Sequence, residues 1–261
     1  MKILFAGDIF GSPGRSVFLE HTKRLKESGE VDLVIANAEN AAGGRGLHPK
    51  QARQLFEGGA DLLTLGDHSW DQRDMLEYIT RDSRVVRPAN FAASTPGKGW
   101  HTIKREGGNV TVISLIGRVF MNFPFDNPFD KVDALLKEHR GKMGPTIIVD
   151  MHCEASSEKQ AMGRHLDGRV SMVVGTHTHV QTSDNTLLPR GTAYITDLGM
   201  TGPHDSIIGS TVGPVLTRFR TGLHQKFQVA SERVRLEGVI LDVDGTTGKA
   251  RGIQRVRLTA E

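Results

Sequence analysis

The chain of 261 residues contains one cysteine, Cys153, and only two tryptophans and two tyrosines. A single cysteine excludes an intrachain disulfide, and with it a small secreted scaffold built on disulfides. We expect Cys153 to be a buried, unreactive thiol, because strand alternation turns it away from its neighbour His152. The scarcity of Trp and Tyr beside thirty glycines predicts tight turns rather than an aromatic binding surface.

Long apolar runs and clusters of charge are also missing. The apolar segment at the start, Met1–Phe10, is far shorter than a membrane span or a signal sequence requires. The net charge is +3, and Lys and Arg are dispersed without a run of five. This pattern favours an anionic small molecule over a membrane or duplex nucleic acid as partner. We expect a cytoplasmic protein and leave homo-oligomerisation open.

Short apolar strands alternate with amphipathic helices over the first two thirds of the chain. The predicted strands there are 2–6, 32–36, 61–65, 85–89, 102–105, 110–116, 146–150 and 171–174, and the predicted helices are 17–27, 49–57, 71–80, 131–138 and 158–166. Such alternation is typical of an α/β fold whose mainly parallel sheet is covered on both faces. Gly107-Gly108 is a candidate hairpin turn that makes the sheet mixed.

The final third has a stronger β pattern. Its predicted strands are 192–196, 212–219, 235–243 and 252–258, with a turn at Asp244-Gly245. These strands predict a second, antiparallel sheet. No linker or internal repeat divides the sequence, so we predict one domain over residues 1–261.

The polar residues of greatest chemical interest come directly after predicted strands. They are Asp8, Glu39, Asn40, Asp67, His68, His152, His177 and His179. Ligand sites of open α/β sheets lie outside the carboxyl ends of the strands, so these side chains can converge. Carboxylates, an amide oxygen and imidazoles suit a pair of metal ions, which would bind a bridging hydroxide and clamp a phosphate.

Each of these residues also has a structural explanation when taken alone. Asp8 could cap a helix, Asn40 could form a turn, and His152 could be a hydrogen-bonded core histidine. The pair His177 and His179 is by itself weak evidence for a metal. Their joint position at strand ends favours seven metal ligands, with the eighth residue, His68, left for another role.

His68 is predicted to be the proton donor to the leaving oxygen, because its neighbour Asp67 can bind the metal. Asp71 could orient the imidazole. The alternative is a structural histidine packed against Trp70.

Two glycine-rich stretches, Gly11–Arg15 and Gly43–Gly46, lack the spacing of a phosphate-binding P-loop. We expect them to form tight walls beside the metals, where Arg15 or Arg45 could contact a phosphate; solvated arginines are the alternative. His204 could approach the substrate from a later loop and is not expected to bind metal.

The order of motifs resembles a known family. G-D, N-x-E-N, G-D-H-x-W-D, H-C-E and G-T-H-T-H-V-Q are similar to the calcineurin-like metallophosphoesterase superfamily, and specifically to its YmdB-like branch of bacterial cyclic-nucleotide phosphodiesterases. This resemblance implies a four-layer α/β/β/α sandwich with mixed sheets. It also implies hydrolysis of 2′,3′-cyclic nucleotides to nucleoside monophosphates by two divalent or trivalent metal ions, with iron favoured over manganese.

The resemblance divides the ligands between two metals. Asp8, Asn40 and His179 would bind one ion, Asp67, His152 and His177 the other, and Glu39 would bridge them. His68 matches the family's proton donor.

Two positions depart from the wider pattern. Phe10 stands where the superfamily has the histidine of D-x-H, and Asp67 stands where asparagine is usual. The extra carboxylate should favour a harder or higher-valent metal.

Other functions remain open. A broad-specificity phosphomonoesterase and a relative of the polyglutamate capsule-synthesis proteins have similar motifs. A regulatory or RNA-binding protein could use the metals for structure alone.

Overall fold

The structure is a computed structural model that describes residues 1–260. The helices are α1 (Gly11–Glu27), α2 (Pro49–Glu57), α3 (Met75–Arg81), α4 (Pro128–His139), α5 (Ser156–Leu166) and α6 (Val212–Thr221). The strands are β1 (Lys2–Ala6), β2 (Asp8–Ile9), β3 (Leu33–Asn37), β4 (Leu62–Thr64), β5 (Val85–Val86), β6 (Trp100–Ile103), β7 (Val110–Ile116), β8 (Thr146–His152), β9 (Met172–Thr176), β10 (Thr186–Leu187), β11 (Ala193–Ile195), β12 (Met200–Pro203), β13 (Val234–Val243) and β14 (Ala250–Thr259).

These strands form two mixed sheets. The first has the order β2-β12-β13-β1-β3-β4-β5, and β14 also pairs with β13. Its strands β1, β3, β4 and β5 run parallel to one another. The second sheet has the order β10-β11-β9-β8-β7-β6, with a parallel centre formed by β7, β8, β9 and β11.

Alternation along the buried strands builds a four-layer sandwich. In β1, Ile3 and Phe5 pack between the two sheets, together with Val112 and Ile148 of the second sheet. Leu4 and Ala6 point the other way, toward helices α1 and α2. On the far side, the outer face of the second sheet packs on α4 and α5. The predicted α/β/β/α sandwich with mixed sheets is therefore confirmed.

The final third differs from the sequence prediction. The strands β13 and β14 are antiparallel neighbours, with the predicted turn at Asp244-Gly245 between them, but they extend the first sheet. The second sheet is centred instead on β7, β8 and β9. The prediction of a separate antiparallel sheet was wrong because strand pairing within a hairpin does not determine which sheet the hairpin joins.

The segment predicted as strand 212–219 is the helix α6. Its apolar residues Val212, Val215, Leu216 and Phe219 have helical spacing, and Gly222 ends the helix with a left-handed backbone (φ 72°). Branched and bulky apolar side chains are frequent in strands, so the composition of this segment indicated a strand although its spacing is helical.

Two helix boundaries were also misplaced. Helix α1 begins at Gly11, so the stretch Gly11–Arg15 is its first turn and not a loop wall. Helix α3 begins at Met75, after a series of turns that follows His68. No helix within residues 1–260 is both long enough and apolar enough to cross a membrane.

Candidate metal centre

The polar residues predicted to converge do lie together, at the carboxyl ends of strands from both sheets. Glu39 and Asn40 follow β3, and Asp67 follows β4 in the same sheet. From the second sheet, His152 ends β8 and His177 follows β9. The site therefore lies across the edge where the two sheets meet, as expected for parallel strands.

Four residues form the first ligand group: Glu39, Asp67, His152 and His177. One ligand atom from each lies within 4.8 Å of the other three. His152 Nε2 is 3.0 Å from Glu39 Oε1 and 3.0 Å from Asp67 Oδ1, and His177 Nδ1 is 3.3 Å from the same Asp67 oxygen. Two acids and two imidazoles that converge on one point suit a divalent cation.

The protonation of His152 also suits this role. Thr176 Oγ1 donates its hydrogen to Asp150 Oδ1 at 2.7 Å, so it must accept the hydrogen bond of 2.8 Å from His152 Nδ1. A proton on Nδ1 leaves Nε2, which faces Glu39 and Asp67, as the nitrogen that would bind a cation. A threonine and a buried carboxylate thus orient a candidate metal ligand from behind.

Asp8, Asn40 and His179 form the second ligand group. His179 Nε2 lies 3.2 Å from Asn40 Oδ1 and 3.8 Å from Asp8 Oδ1. His179 Nδ1 lies 2.9 Å from the Ile208 carbonyl and donates to it, while the amide nitrogen of Asn40 donates to the Gly44 carbonyl. These bonds leave Nε2 and the amide oxygen available to a cation.

An unpartnered oxygen marks the second group. Asp8 Oδ1 is buried and has no hydrogen-bond partner among the described residues, whereas Asp8 Oδ2 accepts the His177 backbone N–H at 3.2 Å. A buried carboxylate oxygen without a donor is costly, and a metal ion would satisfy it. The donors present therefore fit two cations, and the bridging role of Glu39 stays a prediction.

The pKa values of Asp67 and His152 in the first ligand group shift in opposite directions. Burial would raise the pKa of Asp67, but its hydrogen bonds to His152 and His177 outweigh burial and hold the pKa well below its usual range. Burial would lower the pKa of His152, yet the charges of Glu39 and Asp67 raise it well above its usual value. The centre is thus strongly attractive to positive charge.

Glycine is required at position 66. A Cβ atom there would lie 2.3 Å from Glu39 Oε2 and 2.3 Å from His152 Nε2, inside the first ligand group. Because both neighbours are nearly fully buried, neither can move aside.

The loop that carries the two histidines has a strained backbone. His177 and His179 have φ values of 98° and 64°, which are unusual for residues other than glycine. Between them, Thr178 donates through its hydroxyl and its N–H to Asp197 Oδ2, at 2.7 and 3.3 Å. The same oxygen accepts a bond of 2.6 Å from Lys159 Nζ in α5, and both side chains are 1% exposed. This buried pair holds the loop in place.

The sequence did not point to the supporting residues. Asp150 is fully buried in β8 and accepts from Thr64 and Thr176; burial raises its pKa to about 6. Lys159 and Asp197 are far apart in sequence. The available signal was a charged residue within an apolar segment: Asp150 in a strand and Lys159 on a buried helix face.

His68 lies at the margin of the first group. Its Nδ1 is 3.1 Å from Asp71 Oδ2, and its Nε2 is 3.8 Å from Asp67 Oδ2. Its backbone N–H donates to Glu39 Oε2 at 3.1 Å. Asp71 is therefore placed to orient the imidazole, as expected, and to leave Nε2 facing the ligand group.

Each of the three residues predicted to contact substrate has a partner within the protein. Arg15 donates to the carbonyl of Ala41, next to Asn40, and burial lowers its pKa. Arg45 is largely exposed, with Nε 3.5 Å from Asp71 Oδ2. His204 Nε2 donates to the Met200 carbonyl at 3.1 Å, and burial lowers its pKa to about 4. Their contact with substrate stays a prediction.

Phe10 and Cys153 have structural roles. The Phe10 ring lies edge-on to the His179 ring, with 5.6 Å between centroids, and so supports a candidate ligand. Cys153 is fully buried, and burial raises the pKa of its thiol. The prediction of an unreactive thiol agrees with this placement.

A four-layer α/β/β/α sandwich with acids and histidines at the meeting edge of its sheets defines the calcineurin-like metallophosphoesterase class. A model of the YmdB-like protein family matches residues 4–256, and the chain belongs to this family. A Bacillus subtilis relative, 2′,3′-cyclic-nucleotide 2′-phosphodiesterase, is 48% identical over 98% of this chain and 96% of its own. The resemblance recognised in the sequence is confirmed.

Solved structures agree with the family. A hypothetical protein from Thermus thermophilus has a TM-score of 0.94 and 41% identity, with all of both chains covered. A novel phosphatase from Mycoplasma pneumoniae has a TM-score of 0.92 and 34% identity, with 99% of this chain and 93% of that chain covered. The prediction of a phosphoric ester hydrolase is therefore confirmed at the level of class.

Proposed function

We propose that this protein is a two-metal phosphodiesterase that hydrolyses 2′,3′-cyclic nucleotides to nucleoside monophosphates. The observation that carries the proposal is the convergence of two ligand groups beside His68, with the Asp8 oxygen unpartnered. The name of the Bacillus subtilis relative supports the choice of substrate. A cytoplasmic location is part of the proposal.

One metal ion would be held by the first ligand group and the other by Asp8, Asn40 and His179, with Glu39 shared between them. Iron is the first choice and manganese the second. When bound, the two ions supply Lewis-acid activation of water and neutralise charge on the phosphate. The protein's own part is to fix the ligands, through Thr176 behind His152 and Asp197 behind the histidine loop.

His68 would protonate the leaving ribose oxygen. Water adds to phosphorus and releases one proton to solvent, one ester P–O bond to the ribose breaks, and His68 Nε2 gives its proton to the departing oxygen and is reprotonated from solvent. Asp71 holds the opposite nitrogen at 3.1 Å, which directs Nε2 toward the substrate. A positioned general acid of this kind contributes about 10²- to 10⁴-fold in rate.

The test compares His68→Ala with wild type on 2′,3′-cyclic AMP, after loading with iron or manganese. We expect a loss of about 10²- to 10⁴-fold in kcat, with metal content unchanged by elemental analysis of the same preparations. His165→Ala is the matched control, since His165 also pairs with an aspartate, Asp133 at 2.9 Å, on the helices that cover the second sheet. Equal rates for His68→Ala and wild type, or no nucleoside monophosphate from either, would refute the proposal.

A substrate panel separates the remaining alternatives. Faster turnover of p-nitrophenyl phosphate than of cyclic diesters would indicate a phosphomonoesterase. Removal of metal by chelation should abolish hydrolysis while the fold persists. Loss of the fold in a preparation that was never active would instead favour metals with a structural role only.

A further inference from the structure

Four aromatic residues lie together beside the candidate metal centre. A cavity of about 330 Å³ opens next to Asp67, and four of its lining residues are aromatic: Trp70, Phe91, Phe123 and Phe125. Its volume lies within the range of about 300 to 1,000 Å³ typical of small-molecule sites. Asp67 belongs to both the cavity wall and the first ligand group.

The four rings form a continuous row. Phe91 and Phe125 are stacked, with 5.1 Å between centroids and 28° between planes. Trp70 lies 6.1 Å from Phe91 on one side, and Phe123 lies 5.9 Å from Phe125 on the other. These separations are in the range of about 4.5 to 7 Å at which aromatic rings attract one another.

Solvent exposure of the rings increases along the row from Phe91 to Phe123. Phe91 is 6% exposed, whereas Phe123 is 62% exposed. Phe91 is fixed by packing, Phe125 is half-buried, and Phe123 presents its ring to solvent.

Polar residues also line this cavity, namely Asp67, Asn90, Thr95 and Asp126, and the Asn90 amide at its base is already engaged. Asn90 donates to the carbonyls of Ile116 and Asp126, both at 2.8 Å, and accepts from the Ile116 N–H at 2.9 Å. With its amide engaged on both sides, Asn90 cannot read the hydrogen-bonding edge of a ligand. Asn90 therefore adds no free hydrogen-bonding group to the wall, and the four aromatic residues supply ring faces.

We propose that this cavity is the nucleobase subsite of the enzyme, and that it accepts purines and pyrimidines alike. The inference rests on the proposed function: the cyclic phosphate would lie at the ligand groups, and the base would stack on Phe125 or Phe123. Stacking tolerates every base because each has a π face. Purines should be favoured modestly, since their faces are larger.

The kinetic test uses a substrate with a base and one without. We expect Phe125→Ala to lower kcat/KM for 2′,3′-cyclic AMP about tenfold, equivalent to about 1.4 kcal/mol. The same variant should leave kcat/KM for glycerol 1,2-cyclic phosphate unchanged. Phe125→Leu keeps apolar volume without a ring and should behave like Phe125→Ala. Phe120→Ala is the control: Phe120 is 83% exposed on the same loop and does not line the cavity.

A binding test does not depend on hydrolysis. Adenosine is titrated into the Trp100→Phe variant, in which Trp70 is the remaining tryptophan, and we expect stacking to quench its fluorescence. Phe125→Leu in that background should weaken binding about tenfold. Quenching without hydrolysis would leave the subsite standing and refute the proposed function. Hydrolysis with equal losses on both cyclic substrates, or no adenosine binding, would refute the subsite.

Discussion

The ligand groups and the aromatic cavity meet at Asp67 but are built in opposite ways. Each candidate ligand lies at or just beyond the end of a strand, and buried partners such as Thr176 and Asp197 hold several of them from behind. The rings of the cavity come from three separate loops, and the outermost ring, Phe123, is exposed. One region has a fixed geometry, and the other has surfaces free to adapt.

This difference suggests a division of labour. Phosphate chemistry needs ligands held to a fraction of an ångström, which strand ends and buried hydrogen bonds provide. Base recognition by stacking needs only apolar faces at a suitable distance. Variants of the first region should therefore affect all substrates equally, and variants of the second only those that carry a base.

The largest effect is expected from Gly66→Ala. The added methyl group would fall 2.3 Å from Glu39 Oε2 and from His152, so the ligands must separate. We expect metal affinity to fall by more than about 100-fold, and activity on both cyclic substrates to fall with it. Gly141→Ala is the control, since nothing lies within 4 Å of a Cβ at that position. Full metal content in Gly66→Ala would contradict the expected clash between the added methyl group and the two ligands.

An intermediate effect is expected from Thr176→Val. Valine keeps the shape but leaves His152 Nδ1 and Asp150 without the hydroxyl that joins them. Metal affinity should fall about 10- to 100-fold, as measured by competition with a chelator, while the ratio of the two cyclic substrates stays constant. Thr102→Val, which removes a Thr–Thr hydrogen bond in the second sheet, should leave metal affinity as in wild type. A changed substrate ratio would show that the two regions are coupled.

The smallest effect is expected from Asp67→Asn, at the residue shared by both regions. The amide keeps a ligand oxygen and removes one negative charge, so the fraction of higher-valent iron should decrease, as measured by electron paramagnetic resonance. Rates should change by less than about tenfold, because the amide oxygen remains in place as a ligand. Unchanged metal content and rate would show that the negative charge of Asp67 affects neither the choice of metal nor catalysis.

The features best predicted from the sequence are those that depend on local order along the chain. Strands such as Lys2–Ala6 and Thr146–His152 are apolar runs with polar residues directly after them, so their arrangement at one edge could be expected. Helix α6 was misread because its apolar residues are β-branched or bulky, although their spacing is helical. Composition gives the types of residue in a segment but not their spacing, and here the spacing is what distinguishes a helix from a strand.

Contacts between distant segments could not be predicted in this way. Lys159 and Asp197 meet only after α5 and the segment beyond β11 have packed together. The aromatic row depends on three loops, and the low total of Trp and Tyr pointed away from it. The proposed nucleobase subsite runs against the expectation of no aromatic binding surface, because that expectation used the number of aromatic residues and not their positions.

The bonds from Thr178 to Asp197 also bear on the order in which the chain can assemble. Asp197 lies beyond β11, and the first strand, β1, is flanked by β13, which ends at Val243. During synthesis from the N-terminus, Asp8 and Glu39 leave the ribosome long before the residues that fix the histidine loop. A complete set of ligands held in place can therefore form only after the segment that carries Asp197 has emerged.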